Sequence, residues 1–408
     1  MIAMTEPVRP PDELPVLDDD PFSESALREP FEFQARLRDA GPLVWLSRYG
    51  CYAVGRYAEV AQVLADWRTY SSARGVGILD FAKAKPWWRE PAVLIESDPP
   101  RHNEIRARVA RVLSARAIED LRPDFVAQAD ALLDRVLQSG TFDAQREIAE
   151  AYPLKVFGDA LGIDEERREM LLVYGDLVFN NFGPDNPTLR ASAERGKAAG
   201  AVEWMLQRTG RDAVRPGSLG DRLHALSEDG YLSPAEAWNV MRGQLSAGVD
   251  TTIATLGHIL LCLARDPRQY AAVRADPSLA RNAFEEAVRH VTPLQTLFRT
   301  TTVGGQLGGA TVLADQKVLV SLAAANRDPR KWSDPDRFDL ARDTLGHVGF
   351  GRGVHVCVGN HVARLEAECL LTAFARRVRS YELSAPPTYR VNNTVRSLDQ
   401  LTLSCALG

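Results

Sequence analysis

At 408 residues the chain exceeds the length at which a single core usually stops growing, which leaves room for roughly two or three domains. Apolar residues make up 45% and charged residues 25%, the balance of a folded globular chain, which excludes wholesale disorder. Forty-nine Lys and Arg against 54 Asp and Glu leave a net charge of −5, which argues against a nucleic-acid partner.

The five cysteines stand at 51, 262, 357, 369 and 405 with no CxxC pair among them. A disulfide scaffold, a four-cysteine zinc site and a four-cysteine iron–sulfur site are therefore disfavoured. Residues 1–20 form a Pro- and Asp-rich leader, with Pro7, Pro10, Pro11, Pro15 and Asp18 to Asp20. It lacks the basic start and apolar run of a secretory signal, so no membrane anchor and a reducing, cytoplasmic compartment are expected.

In chain order, Leu43 to Trp45 and Cys51 to Val54 read as short strands around Arg48-Tyr49-Gly50, followed by a helix over Ala58 to Leu64. Pro86 to Pro91 reads as an irregular loop. From Arg101 to about residue 240 the pattern is chiefly helical, with breaks near Gly140, Gly183-Pro184 and Pro216-Gly217. A longer helix opens on the capping box Ser233-Pro234-Ala235-Glu236 and is expected to run to Arg265, where Asp266-Pro267 stops it. Arg242, Asp250 and His258 interrupt every window long enough to span a membrane. Thr300 to Val320 and the tail from Tyr381 to Leu407 read as β structure. No repeat or linker divides residues 21–408, which are taken as one domain.

Three clusters carry chemistry. At the centre of the long helix, Ala247-Gly248-Val249-Asp250-Thr251-Thr252 strings together poor helix formers. Such a run marks either a ligand site with a hydroxyl and a carboxyl for proton delivery, or a helix crossing with threonines bonded back to carbonyls. Glu286 and Arg289, three apart on one helix, read in isolation as an ordinary surface pair. The third is Phe350-Gly351-Arg352-Gly353-Val354-His355-Val356-Cys357-Val358-Gly359. It is no dinucleotide fingerprint, because Val354 stands where the third glycine belongs. Cys357 precedes a helix N-terminus, which favours a thiolate; the alternative is a small apolar core residue.

Taken together, these pieces resemble the cytochrome P-450 family of haem-thiolate monooxygenases. Phe350 to Gly359 is similar to that family's cysteine-ligand loop, Glu286 and Arg289 to its ExxR helix, and Ala247 to Thr252 to its oxygen-binding segment. Asn326 to Asp339 resembles the meander before the loop. The resemblance implies a mainly α fold with small β-sheets, and haem b ligated through its iron by Cys357. Amides of Val358 and Gly359 would hold the sulfur, with His102, Arg106, Arg299 and His355 on the propionates, and Gly248 and Phe350 against the ring. It also implies that Asp250 and Thr251 deliver protons as O2 is activated, and that Arg327 or Arg337 pairs with Glu286. Electrons would come from a ferredoxin and its NAD(P)H-dependent reductase, docking near Lys331, Arg352, Arg364, Arg376 and Arg377.

Within the family the chain looks most like the bacterial branch that removes the methyl group of para-methoxybenzoate. The likeness places Arg89, Ala92, Ile95, Phe179, Phe182, Arg242, Gly243, Val249, Leu294 and Leu297 around the substrate. Ala92 and Gly243 stand where that branch has serines on the carboxylate, and Leu297 stands where it has phenylalanine. These changes widen the pocket and remove donors. The expected reaction is O-demethylation or hydroxylation of a small benzoate-like aromatic; the alternatives are hydroxylation of a terpenoid or other apolar metabolite, and a haem-binding sensor without turnover.

Overall fold

The long helix forms as its cap requires. The Ser233 hydroxyl accepts from the Glu236 amide at 3.2 Å, and the Glu236 carboxylate accepts from the Ser233 amide at 2.9 Å. Pro234–Arg265 then runs 32 residues without interruption, through Gly248 and the threonines, until Asp266 turns to cap the next helix, Pro267–Ala275. Among the described residues it is the one helix long and apolar enough to cross a membrane, yet 72% of its most apolar window is buried inside the protein. It is the spine of the fold. This computed structural model describes residues 14–84 and 88–408.

Helices pack around that spine. Ala151–Leu161, Met170–Asn180, Leu279–Val291 and Asn360–Arg377 all contribute buried apolar faces to one core that includes Leu245, Val249, Ile253 and Leu256 of the central helix. The helical region expected from Arg101 onward is interrupted by a strand, Thr141–Asp143, directly after Gly140, whose φ of 68° turns the chain.

A six-stranded sheet lies beside the helices. Its order is Val16–Leu17, Val44–Leu46, Cys51–Val54, Lys317–Ser321, Thr296–Thr301 and Tyr70–Ser71. The pairing of Thr296–Thr301 with Lys317–Ser321 sets Leu297 opposite Val320 and Arg299 opposite Val318. The β structure expected from Thr300 therefore begins four residues earlier, and a separate hairpin, Gly305–Leu307 with Ala310–Val312, fills its middle. The tail supplies Val378–Leu383 and Thr402–Leu407 to a sheet with Thr141–Asp143, and Thr388–Arg390 pairs with Ser397–Gln400.

The leader ends differently from expectation. Val16 and Leu17 pair in parallel with Trp45 and Leu46, so the last part of residues 1–20 belongs to the sheet. Residues 1–13, and Pro86 and Trp87 of the expected loop, lie outside the described residues.

Candidate active site

The ion pair read as an ordinary surface contact is buried at the base of the site. Arg289 donates to both carboxylate oxygens of Glu286 at 2.7 and 2.8 Å, and both residues have 0% exposure. The guanidinium also donates to the carbonyls of Asn326, Pro335 and Arg337. The second cation on Glu286 is Arg342, at 3.1 Å, and is neither Arg327 nor Arg337. Arg327 instead pairs with Asp336, and Arg337 contributes only its carbonyl. From this knot Asn326 accepts the Val348 amide at 2.8 Å, which fixes the start of the cysteine loop. A structural role for Glu286 and Arg289 is the reading this packing supports.

The loop itself is wound tightly. Gly353 sits at φ 70°, and a Cβ there would meet the Leu64 carbonyl oxygen at 2.8 Å, so glycine is required twice over. The Cys357 amide donates to the Phe350 carbonyl at 2.8 Å, and the helix Asn360–Arg377 starts three residues later. Burial pushes the Cys357 thiol up, while backbone donors at Gly359 and Asn360 and the charges of Arg106 and Arg364 pull it back. The expected amide of Val358 is not among those donors; the bend at the helix start aims the next two instead.

Above the loop lies a cavity whose lining brings together His102, Arg106, Arg299, His355, Cys357, Phe350, Gly248 and Thr251 from four separate stretches of chain. Four of these are cations or imidazoles facing one another. The rings of His102 and His355 are 4.2 Å apart, and each has a buried Nε2 without a hydrogen-bond partner. Burial lowers His102 and takes His355 down to about 2. Arg299, 3% exposed, donates only to its neighbour's carbonyl, and burial draws it down to about 10. Among the described residues none of the four makes an ion pair, Asp98 acting on Arg299 and His102 only from longer range, and buried donors so placed call for an anionic partner. The two carboxylates of haem would fit this set, and Cys357 lines the same cavity.

The central helix meets the cavity on one face. Gly248, Thr251, Thr252 and Thr255 line it, and the hydroxyls of Thr251 and Thr255 donate back to Ala247 at 2.8 Å and to Thr251 at 2.7 Å. The threonines bonded back to carbonyls are thus observed on the same helix face that lines the cavity. Gly248 serves packing as well as the cavity, since a Cβ on it would strike the Phe157 ring at 2.5 Å. Val249 lies outside the lining, fully buried among core residues, so its expected substrate contact is not made. Asp250 also points away from the cavity, and one carboxyl oxygen sits so close to Gly175 that a Cβ there would be 1.6 Å from it.

The remaining wall gathers Ala92, Ile95, Phe179, Phe182, Gly243, Leu294 and Leu297, with Arg89 and Arg242 at its edge. Phe179 and Phe182 stand edge to face, ring centres 5.9 Å apart. Arg89 is already paired with an acid: it forks onto Glu96 at 2.7 and 2.8 Å, and the same carboxylate accepts the Ala92 amide. Arg242 is not. It reaches the Glu90 carbonyl at 3.5 Å, lies over the face of Trp238 and hydrogen-bonds the Tyr174 hydroxyl, with no carboxylate in ion-pair range among the described residues. A Cβ added at Gly243 would meet nothing within 4 Å. Of the basic residues expected to dock a redox partner, Arg364 pairs with Glu285, and Arg376 and Arg377 with Asp130. Lys331 lies over Tyr57 and Trp332.

Residues 219–403 match the family model described as cytochrome P-450. A 404-residue alignment to cytochrome P-450 CYP199A2 of Rhodopseudomonas palustris is 48% identical and covers 99% of this chain and 97% of that one. The chain belongs to the cytochrome P-450 family. A further relative, 6-deoxyerythronolide B hydroxylase of Saccharopolyspora erythraea, is 34% identical over 75% of this chain and 76% of its own. The solved cytochrome P-450 CYP109Q5 of Chondromyces apiculatus superposes with a TM-score of 0.79 at 31% identity, covering 96% of this chain and 99% of that one.

As a cytochrome P-450 the protein is a haem-thiolate monooxygenase, and haem b is its cofactor. The residues around the site that sequence reasoning missed are Arg342, Glu96 and Gly175, together with Arg390, whose guanidinium lies 3.4 Å from Asp250, and Asp176, 3.3 Å from that guanidinium. Each acts through a partner distant in sequence or through an absent side chain, and only Glu96, seven residues from Arg89, left a local signal.

Proposed function

We propose that the protein oxidises small para-substituted aromatic acids or their methoxy ethers, by O-demethylation or hydroxylation. Electrons come singly from a ferredoxin and its NAD(P)H-dependent reductase, and the reaction takes place in the cytoplasm. The observation that carries this reading is the polarity of the wall. Phe179, Phe182, Leu294 and Leu297 offer an apolar slot for a ring, and Arg242 stands beside it as a buried cation with no carboxylate partner among the described residues. A benzoate-like anion would satisfy that charge while its ring stays among the aromatics.

Haem, bound through the Cys357 thiolate, supplies the activation of O2 and the insertion of one oxygen atom, and thiolate electron donation favours O–O cleavage. The chain's own residues do the rest. Phe350 and Gly248 line the cavity that would take the ring, and His102, Arg106, Arg299 and His355 would hold its carboxylates. Thr251 presents its hydroxyl to the cavity, and Asp250 supplies protons to it from the far side of the helix. Ala92, Ile95, Leu294 and Leu297 orient the substrate and exclude water. A purely haem-binding sensor would have no use for a buried acid beside Thr251.

The test is a panel of ligands scored by the ferric spin state. Para-methoxybenzoate is expected to displace water and shift the iron toward high spin, and turnover with a surrogate ferredoxin system should release formaldehyde and the phenol. A shift with terpenoids and none with aromatic acids would replace this reading with hydroxylation of an apolar metabolite, which the open space beside Gly243 would admit.

A further inference from the structure

Asp250 is a buried carboxyl left largely unsatisfied on the side of the central helix turned away from the cavity. One of its oxygens is buried with no hydrogen-bond partner, and the other accepts a single long contact, 3.4 Å from an Arg390 nitrogen. The same guanidinium also reaches Asp176, at 3.3 Å. Asp176 is treated quite differently. It accepts from Arg195 at 2.6 Å, from Ser192 at 2.8 Å, and from Asn180 and Asn392, each at 3.1 Å.

The two carboxylates thus compete for one cation. Asp176 carries four further donors, so its charge is secured, and Arg390 stays between it and Asp250 without closing on either. We propose that Asp176 and Arg390 are positioning residues for proton delivery: Asp176 holds the Arg390 guanidinium back from Asp250, and so keeps the Asp250 carboxyl protonated until it is needed. The proposal rests on the reading of Asp250 as the proton source.

The groups facing Asp250 from the elements around it are Arg390 on the strand Thr388–Arg390, Asp176 on the helix Met170–Asn180, and Glu150 before the helix Ala151–Leu161. Burial is the largest influence and raises Asp250 to about 7; Arg390 opposes it, while Asp176 and Glu150 add to it. Gly175 completes the arrangement, since any side chain there would displace the carboxyl. Met170–Asn180 also ends in the aromatic wall, where the Phe179 carbonyl accepts from Thr394 at 2.8 Å. One short stretch, Arg390 to Thr394, therefore touches both the substrate wall and the proton source.

The experiment is an infrared pH titration of the ferric holoenzyme. The band of the protonated Asp250 carboxyl is assigned by its loss in Asp250→Asn. In the wild type the band should be half lost near pH 7. Asp176→Asn frees Arg390 to close on Asp250, so the midpoint should fall by about one pH unit or more. Arg390→Gln removes the opposing charge, so the midpoint should rise. Opposite shifts support the proposal even if one variant is obtained in low yield. A midpoint that neither substitution moves, or no assignable band at pH 6, overturns it. Product formed per NADH consumed is measured alongside. If Asp250→Asn keeps wild-type coupling, the proton-source reading fails, whatever the titration shows.

Discussion

An Arg289→Met variant is expected to accumulate as haem-poor, destabilised protein. The substitution leaves the Glu286 carboxylate fully buried, with Arg342 and the Asp339 amide as its remaining partners. It also strands three carbonyls, those of Asn326, Pro335 and Arg337, that the guanidinium satisfies. Breaking a buried pair by removing one partner typically costs about 3–5 kcal/mol, and whole-domain stabilities run only about 5–15 kcal/mol. The damage falls on the cysteine loop, because Asn326, tied to the same knot, holds Val348. Haem content per chain and the denaturant midpoint check this. Arg289→Lys should recover little, since a point charge cannot reproduce the fork onto Glu286 and its three carbonyl contacts. Full haem content in either variant would show that the loop is held by something else.

Thr251→Ala should do the reverse, leaving haem content, stability and ligand-induced spin shifts close to wild type while wasting electrons. Thr251 lines the cavity and its hydroxyl reaches only the Ala247 carbonyl, so its loss opens no core void. Positioned proton transfer is worth about 10²–10⁴-fold in rate, so product per NADH should fall by about tenfold or more, with peroxide appearing in its place. Unchanged coupling would remove Thr251 from proton delivery.

Much of this was legible in the sequence, and the reasons it was or was not are physical. The central helix announced itself through local chemistry: a capping box, a proline at its first position and an Asp-Pro stop. The cysteine loop did so through glycines with no other use. Positions on the helix faces were harder. At roughly 100° per residue, Gly248, Thr251, Thr252 and Thr255 share one face, whereas Val249 and Asp250 turn away from it. That rotation explains why Val249 packs in the core and why Asp250 meets Met170–Asn180 instead of the cavity.

What could not be read were choices among equivalent partners. Glu286 had several arginines within the meander, and only the folded path of Ser333 to Arg342 brings Arg342 onto it. Arg390 lies 140 residues from Asp250, and nothing local to either marks the contact. Gly175 is informative only through the side chain it lacks. The likeness placed Arg89 at the substrate, and its pairing with Glu96, seven residues on, shows only once the loop between them is folded.

The central claim is that the Cys357 sulfur is ionised and bonded to haem iron, and the most direct test is the spectrum of the reduced protein under carbon monoxide. The account predicts the strongly red-shifted Soret band that only a thiolate ligand gives. A band at the unshifted position, produced by the intact, freshly purified protein, would contradict it.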